Sequence, residues 1–330
     1  MSASFLVIGS NSFSGAQFID CLLKSRHQVV GVSRSPELDS VFLPYKSSKY
    51  LPNFKFYQID INHQLNQLIE SVKYFQPEYI VNFAAQGMVA QSWKTPEHWY
   101  QTNVVGQVKL HDALRKLNFI KKYVHVTTPE AYGSTEGWIS ENHMFNPSTP
   151  YAVSRAACDM HLMSFYKTYN FPVVFTRSAN VYGPGQQLYR IIPRTMLYAR
   201  LGKKIQLDGA GKSIRSFIHI RDVSDATLRI AISGQIGATY HISTKGFLSI
   251  RALVEKIATL TDVKFEDLAQ VSEDRLGKDQ AYLLESSKLR NELSWADQIS
   301  LDDGLTDTLN WIDSNLEILK QQNPNYVHKP

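Results

Sequence analysis

The sequence predicts an α/β protein with a doubly wound parallel sheet in its first half. Short apolar, β-branched runs alternate there with longer segments whose apolar residues recur at helical spacing. The first of these runs leads directly into a turn rich in glycine and serine. After about residue 177, segments punctuated by glycine and proline replace this rhythm.

The individual elements follow from this alternation. The apolar runs predict strands at 4–8, 28–33, 54–59, 78–82, 121–126 and 171–176. Helical spacing predicts helices at 13–25, 62–75, 97–117 and 151–169, and then near 190–201, 222–232, 249–260 and 301–319. We therefore expect a sheet domain over residues 1–176. A smaller α/β region over 177–330 completes a cleft, and some of its segments return to the sheet.

Composition excludes several classes of function. Lys and Arg number 35 against 30 Asp and Glu, so the net charge of +5 is a mild excess without a basic tail, which argues against nucleic acid. No apolar run approaches the roughly 18 residues of a membrane span. The two cysteines, Cys21 and Cys158, fall in predicted helices and form no disulfide framework. We expect a cytoplasmic protein without a membrane segment.

The first turn has the features of a phosphate-binding turn. Strand 4–8 runs into Gly9-Ser-Asn-Ser-Phe-Ser-Gly15, and small residues at 9, 12 and 15 let a phosphate approach the backbone at a helix N-terminus. An ordinary strand-to-helix turn explains the same residues. Polar and small residues after the third and fourth strands favour a dinucleotide. The predicted contacts are Gly9, Asn11, Ser12, Phe13, Ser14, Gly15, Ser33, Arg34, Asp60, Ile61, Ala84 and Ala85.

The end of the second strand bears on the choice between NAD and NADP. Val32-Ser-Arg-Ser35 lacks the acidic residue that binds a free ribose 2′-hydroxyl. Arg34 offers a guanidinium to a 2′-phosphate, which favours NADP, although a solvated loop arginine is the alternative and NAD stays open.

A second group of residues predicts proton transfer. Thr128 follows strand 121–126, and Tyr151 and Arg155 share one face at the start of helix 151–169, where Thr149 can cap and Pro150 suits the first position. A tyrosine beside a cation can lose its proton at accessible pH and remove a proton from a sugar alcohol. The alternative is a half-buried structural tyrosine.

These motifs resemble the extended short-chain dehydrogenases/reductases that modify nucleotide sugars, above all the dTDP-glucose and GDP-mannose 4,6-dehydratases. The resemblance implies a Rossmann sheet and a catalytic Ser/Thr with YxxxK, here Thr128, Tyr151 and Arg155. It also implies that Tyr151 and Arg155 contact the cofactor, since the family's lysine holds the nicotinamide ribose. Arginine in place of lysine is a departure. The resemblance also assigns Glu130 as the base for the C5 proton, although a salt-bridged loop carboxylate is the alternative. Pro129 stands where the dTDP-glucose enzyme carries an additional acid.

Downstream motifs resemble the family's sugar-nucleotide site. Asn180 lies in an NxYGP segment, Arg215 in GxGxxxRxFxxxxD and Arg275 in DRxGxD. Two arginines in separate matched motifs suit a diphosphate. Gln86 stands where relatives carry a sugar-pocket residue. The resemblance further implies a homodimer, to which Trp99, Val104 and Val108 offer apolar surface, although the alternative is that these residues face the sheet.

We therefore expect a nucleoside-diphosphate-sugar 4,6-dehydratase that oxidises C4 transiently, with bound nicotinamide, and eliminates water across C5 and C6. A C4 epimerase, oxidase or decarboxylase on the same fold is the alternative. A non-catalytic module that binds cofactor or sugar nucleotide is the third hypothesis, suggested by Pro129 and Arg155.

Overall fold

The computed structural model describes residues 2–142, 144–273 and 281–329. The strands are β1 (Ser4–Ile8), β2 (Gln28–Ser33), β3 (Phe54–Gln58), β4 (Tyr79–Asn82), β5 (Lys122–Thr127), β6 (Trp138–Ile139), β7 (Val173–Ser178), β8 (Asn180–Tyr182), β9 (Ile205–Asp208), β10 (Ile214–Arg215), β11 (Phe217–His219), β12 (Thr239–Ile242), β13 (Leu248–Ser249), β14 (Ala269–Ser272) and β15 (Leu283–Leu284). The α-helices are α1 (Phe13–Lys24), α2 (Leu65–Phe75), α3 (Pro96–Tyr100), α4 (Gln107–Leu114), α5 (Pro150–Tyr169), α6 (Ile191–Arg200), α7 (Ile220–Ser233), α8 (Ile250–Thr261), α9 (Phe265–Leu268), α10 (Ser287–Leu293), α11 (Leu301–Ser314) and α12 (Leu316–Leu319).

The central sheet has seven strands in the order β12-β7-β5-β4-β1-β2-β3, all of them paired in parallel. This confirms the predicted doubly wound α/β fold. From β1 the sheet grows in one direction through β2 and β3, and from β4 it grows in the other direction through β5 and β7. A crevice therefore opens beyond the carboxyl ends of β1 and β4, where ligands of such sheets bind.

Both faces of the sheet are covered by helices, as a parallel sheet requires. Side chains of β1 alternate between the two layers because successive strand residues point to opposite faces. Phe5 and Val7 join the core that contains α1 and α7, whereas Leu6 and Ile8 join the core that contains α2, α4 and α5. The sheet is therefore buried on both sides around its central strand.

The C-terminal region packs beside the sheet through several short strand pairs. β8 pairs with β11 and β9 with β14 in parallel, and β10 pairs with β13 in antiparallel. A third apolar core forms among α6, α8 and α11. β15 pairs with β6 and so joins the C-terminal region to the loop that follows β5.

The structure contains elements that were not predicted, among them the short strands β6, β8–β11 and β13–β15 and the helices α9 and α10. Three further differences concern the central sheet and the longer helices. The strand β12 was not predicted, because its four residues include a histidine and give little apolar alternation. The predicted helix 97–117 is divided into α3, a π-helical segment at Gln101–Gly106, and α4. The predicted helix 301–319 is interrupted at Asn315. No described helix is long and apolar enough to cross a membrane.

Candidate active site

A cavity of about 210 Å³ lies beyond the carboxyl ends of β1, β2 and β4. Ten of its lining residues were predicted from the sequence to contact a ligand: Gly9, Asn11, Ser12, Ser33, Arg34, Asp60, Ile61, Ala84, Ala85 and Gln86. Gln86, which was predicted to bind the sugar, also lines this cavity. The cavity is also lined by residues that the sequence analysis missed, among them Ser35, Asn62 and Thr102. It lies where a doubly wound sheet binds dinucleotides.

The turn after β1 is built around Gly9. Its φ of +83° favours glycine, and a Cβ there would lie 2.7 Å from the backbone nitrogen of Ala84. Ser12, at the position where the family pattern has glycine, caps α1: its Oγ accepts a hydrogen bond from the Gly15 N–H at 3.1 Å and donates to the Gly9 carbonyl at 2.7 Å. Of the other predicted contacts, Phe13 packs in the core, and Ser14 and Gly15 lie in the first turn of α1.

Buried polar atoms that lack a partner support a ligand in this cavity. Asn11 Oδ1 and Asn62 Oδ1 are buried, and neither has a hydrogen-bond partner among the described residues. Such an orphaned acceptor is costly unless a bound molecule donates to it. Ribose hydroxyls and the adenine amino group are donors of this kind. The residues present therefore fit a nicotinamide dinucleotide.

Thr128 and Tyr151 lie close together, and α5 begins at the position that the sequence predicts. The Thr149 hydroxyl accepts a hydrogen bond from the Ala152 N–H at 3.1 Å, and Pro150 occupies the first position of α5. Thr128 caps a short 3₁₀ helix at Pro129–Tyr132, and its hydroxyl accepts from the Glu130 N–H at 3.3 Å. Thr128 is also hydrogen-bonded to Tyr151.

The pKa of Tyr151 is raised above its ordinary value, contrary to the expectation from the neighbouring cation. Burial is the largest cause, and the negative charge of Glu130 adds to it. The charge of Arg155, the hydrogen bond with Thr128 and the charge of Arg190 oppose the rise. Arg190, at the start of α6, is a cation near the site that the sequence analysis missed.

Arg155 points inward beneath Tyr151, and its side chain is almost entirely buried. Its Nη2 donates to the Val126 carbonyl and lies 3.3 Å from His125 Nε2. Its Nη1 is buried and has no partner among the described residues, so it can donate to a bound ribose or substrate hydroxyl. Most of the guanidinium therefore holds the end of β5.

A buried carboxylate, Asp159, lies one helical turn beyond Arg155. It accepts from Arg177 Nη2 at 2.7 Å and from Thr127 Oγ1 at 3.0 Å. Burial opposes its ionisation, but Arg177, His125 and Arg155 together hold the pKa of Asp159 below its ordinary value. Arg177 Nη1 also donates to the Thr128 carbonyl at 2.8 Å. The pair of Asp159 and Arg177 thus fixes the backbone at Thr128, two residues before Glu130.

The predicted sugar-nucleotide residues converge in part. Asn180 Oδ1 accepts from the Tyr282 hydroxyl at 2.9 Å, and the Arg215 guanidinium lies 4.3 Å from the centre of the Tyr282 ring. Asn180 and Arg215 therefore lie at one place, as two residues of a single site must. Arg275 lies outside the described residues.

A family model described as GDP-mannose 4,6 dehydratase matches residues 6–308. A trifunctional UDP-glucose 4,6-dehydratase, 3,5-epimerase and reductase of Arabidopsis thaliana is 31% identical over 280 residues, or 82% of this chain, which spans only 41% of the plant protein. The dTDP-glucose 4,6-dehydratase of Mycobacterium tuberculosis is 31% identical over 73% of each chain. The structure of the Streptomyces venezuelae dTDP-glucose 4,6-dehydratase with NAD bound superposes with a TM-score of 0.89, 27% identity and coverage of 96% and 98%.

Proposed function

The chain belongs to the extended short-chain dehydrogenase/reductase family of epimerases and dehydratases, and on this premise we propose that it is a nucleoside-diphosphate-sugar 4,6-dehydratase. The relatives of at least 30% identity named above are sugar-nucleotide 4,6-dehydratases. The observation that carries the proposal is Glu130, a carboxylate close enough to Tyr151 to raise its pKa. Elimination needs such a base, whereas oxidation of an alcohol at C4 does not.

Tyr151 begins the reaction by taking the proton of the sugar C4 hydroxyl. The phenolate of Tyr151 is the form that takes this proton, and the Thr128 hydroxyl beside Tyr151 favours that form. Arg155 beneath it supplies a positive charge that favours the phenolate. When bound, the nicotinamide accepts hydride from C4 and later returns it to C6, so the cofactor undergoes no net change.

Glu130 acts once C4 is a ketone, because the carbonyl makes the C5 hydrogen acidic. The carboxylate takes that proton while the C6 hydroxyl departs. Pro129 has no proton to give, so we assign protonation of the leaving hydroxyl to Glu130 as well. One carboxyl group that receives a proton from C5 and passes it to the C6 oxygen balances the elimination of water. For hydride to return to C6, C5 must regain a proton, which Glu130 takes up from solvent and delivers, while Tyr151 returns the C4 hydroxyl proton to solvent.

We propose NAD as the cofactor. The solved relative binds NAD. Arg34, the basis of the preference for NADP, directs its Nη2 to the Lys329 carbonyl at 3.1 Å. The sequence-based preference for NADP therefore has no support. Comparing the affinities of the two dinucleotides for the purified protein tests this choice, and tighter binding of NADP would restore the original preference.

The variant Glu130→Gln tests the dehydratase. We expect the wild-type protein to convert a nucleoside-diphosphate hexose to a 4-keto-6-deoxy product, detected by mass spectrometry as the loss of water. The variant should form this product about 100-fold more slowly or worse, because a positioned acid–base group is removed. Transient reduction of the bound cofactor should persist, because Tyr151 and Thr128 are intact.

Glu136→Gln is the matched control, since Glu136 is exposed on the same loop. It should turn over like the wild-type protein. Formation of only a C4-inverted sugar from a panel of nucleotide sugars would refute the dehydratase.

A C4 epimerase is the second candidate, and Pro129 favours it because the dTDP-glucose enzyme has an acid there. An epimerase returns hydride to the other face of C4 and needs no base at 130. Glu130→Gln should leave an epimerase active. The same variant therefore separates the two candidates.

We further propose that the chain forms a homodimer in the cytoplasm and that residues 177–330 supply the sugar-nucleotide side of the cleft. Partly exposed apolar residues support the dimer: Tyr100, Val105, Val153 and Met160 lie on α3, the π-helical segment and α5. Trp99, expected at that interface, is fully buried because it packs on His328. Val104 and Val108 are partly buried. Two free cysteines support a reducing compartment.

A further inference from the structure

Residues Asn323–Lys329 lie as an extended segment across the mouth of the cleft, and we name them the C-terminal strap. Alternate side chains differ in exposure: Pro324, Tyr326 and His328 are partly buried, whereas Asn325 and Val327 are exposed. This period of two is that of an extended chain with one face against the protein. The strap is therefore packed on the body of the molecule along its length.

The first half of the strap is held by the start of α6. Arg194 Nη2 donates to the Pro324 carbonyl and, at 3.2 Å, to Asn325 Oδ1. The ring of Tyr326 meets the ring of Tyr189 edge-on at 5.3 Å between centroids. These contacts lie beside Arg190, the cation that acts on Tyr151. The strap thus begins on the substrate side of the cleft.

The far end of the strap closes over the dinucleotide cavity. The Lys329 carbonyl accepts hydrogen bonds from Gln86 Nε2 at 2.6 Å and from Arg34 Nη2 at 3.1 Å. Arg34 follows β2 and Gln86 follows β4, and β1 lies between these strands. With strands about 4.8 Å apart, the carbonyl joins side chains that follow strands roughly 10 Å apart, on either side of β1, whose end leads into the turn at Gly9.

His328 fixes the strap between these two ends. Its ring is nearly parallel to the ring of Trp99, at 8° and 4.9 Å, and to that of His98, at 13° and 5.1 Å. His328 Nε2 and His98 Nδ1 lie 2.8 Å apart and share a hydrogen bond. Lys329 Nζ adds a bond to Ser35 Oγ at 3.3 Å. The strap is therefore held by ring contacts and hydrogen bonds along its length.

We propose that the C-terminal strap is part of the dinucleotide site and retains the bound cofactor. A dinucleotide in the cavity cannot leave past Gly9 until the bonds from Gln86 and Arg34 to Lys329 break. This inference rests on the proposed function, in which the cofactor accepts hydride from the sugar and returns it within one turnover. The cofactor therefore need not leave the protein between turnovers. Closure then slows release without slowing the chemistry.

The test measures how fast bound NADH leaves when excess NAD is added, followed by NADH fluorescence. The double variant Tyr326→Ala/His328→Ala removes the ring contacts of the strap, and a chain that ends at Gln322 removes the strap. We expect both to release NADH about tenfold faster or more than the wild-type protein, since each lost ring pair weakens the closed state. Val327→Ala is the control, because Val327 is 62% exposed in the same segment.

Three results would overturn the proposal. Equal release rates in the wild-type protein and both strap variants contradict retention. Faster binding of NADH with unchanged release contradicts it too, because the strap would then only obstruct entry. A wild-type protein that binds no NADH contradicts the proposed function as well, whereas NADH binding with equal release rates contradicts the strap alone. Equal melting temperatures establish that the variants are folded.

Discussion

At the scale of single residues, the site depends on one buried carboxylate between two buried arginines. Asp159 bonds Arg177, which bonds the Thr128 carbonyl, while Arg155 bonds the carbonyl of Val126. Both arginines are at most 2% exposed, so their charges rely on Asp159 for compensation. The same three side chains therefore bear on stability and on the position of the catalytic threonine.

Asp159→Asn should lower the free energy of unfolding by about 3–5 kcal/mol, because it leaves buried guanidinium charge without a partner. Urea unfolding measures this change. The control is Asp225→Asn, which breaks an exposed pair with Arg229 on one face of α7 and should cost less than about 1 kcal/mol. Equal losses in the two variants would show that the buried cluster gives no special stabilisation.

At the scale of elements, the π-helical segment Gln101–Gly106 determines which side chains reach the cavity. A π turn contains more residues than an α turn and shifts the face that later residues present. Thr102 lines the cavity, and Asn103 bonds the Gln86 N–H at 2.8 Å and the Ser154 hydroxyl at 2.9 Å. Trp99, before the π turn, faces the C-terminal strap. One helical region thus supports both the cavity wall and the strap.

The added strand β12 carries a buried histidine whose titration we expect to control acid stability. Burial, then the charge of Arg177, lowers the pKa of His241 to about 3. An unfolded histidine titrates near 6.5, so below that pH the unfolded chain binds more protons than the folded one. The free energy of unfolding should therefore fall as pH drops from about 6.5 towards 3, by about 1.4 kcal/mol per pH unit for this residue.

Urea unfolding at several pH values between about 7 and 5 checks this slope. His125 and His219, with pKa values lowered to about 4, should steepen it. His241→Gln should make the slope shallower, because a residue that cannot titrate replaces the histidine. An unaltered slope in His241→Gln would mean that His241 is already protonated in the folded protein or does not titrate differently on unfolding.

At the scale of the whole molecule, local signals predicted the fold and the position of Tyr151, whereas long-range contacts were not predictable. The turn at Gly9 and the cap at Thr149 depend on neighbours in sequence, so their patterns can be recognised. The pairing of Asp159 with Arg177 and the bond from Gln86 to Lys329 join distant segments. Contacts between residues so far apart in the sequence leave no repeating pattern of residue types by which they could be predicted. For the same reason the sequence left open whether Trp99 lies at a dimer interface or faces the sheet.

The dimer is a prediction about the whole molecule. Met160→Glu places a charge in the apolar area formed with Val153, Val105 and Tyr100, and it should convert the dimer to a monomer in sedimentation at micromolar concentration. Tyr74→Glu, at a position 87% exposed on α2, should leave the dimer intact. A wild-type protein that sediments only as a monomer would exclude the dimer.

Closure by the C-terminal strap makes the order of product release important. If a keto sugar departs early, before hydride returns to carbon, the protein is left holding reduced dinucleotide. Because the bound reduced dinucleotide exchanges only slowly with NAD in solution, that protein molecule stays inactive. Only a second keto sugar, entering and accepting the hydride, brings it back into the cycle. We therefore expect traces of keto product to reactivate preparations that have lost activity during turnover.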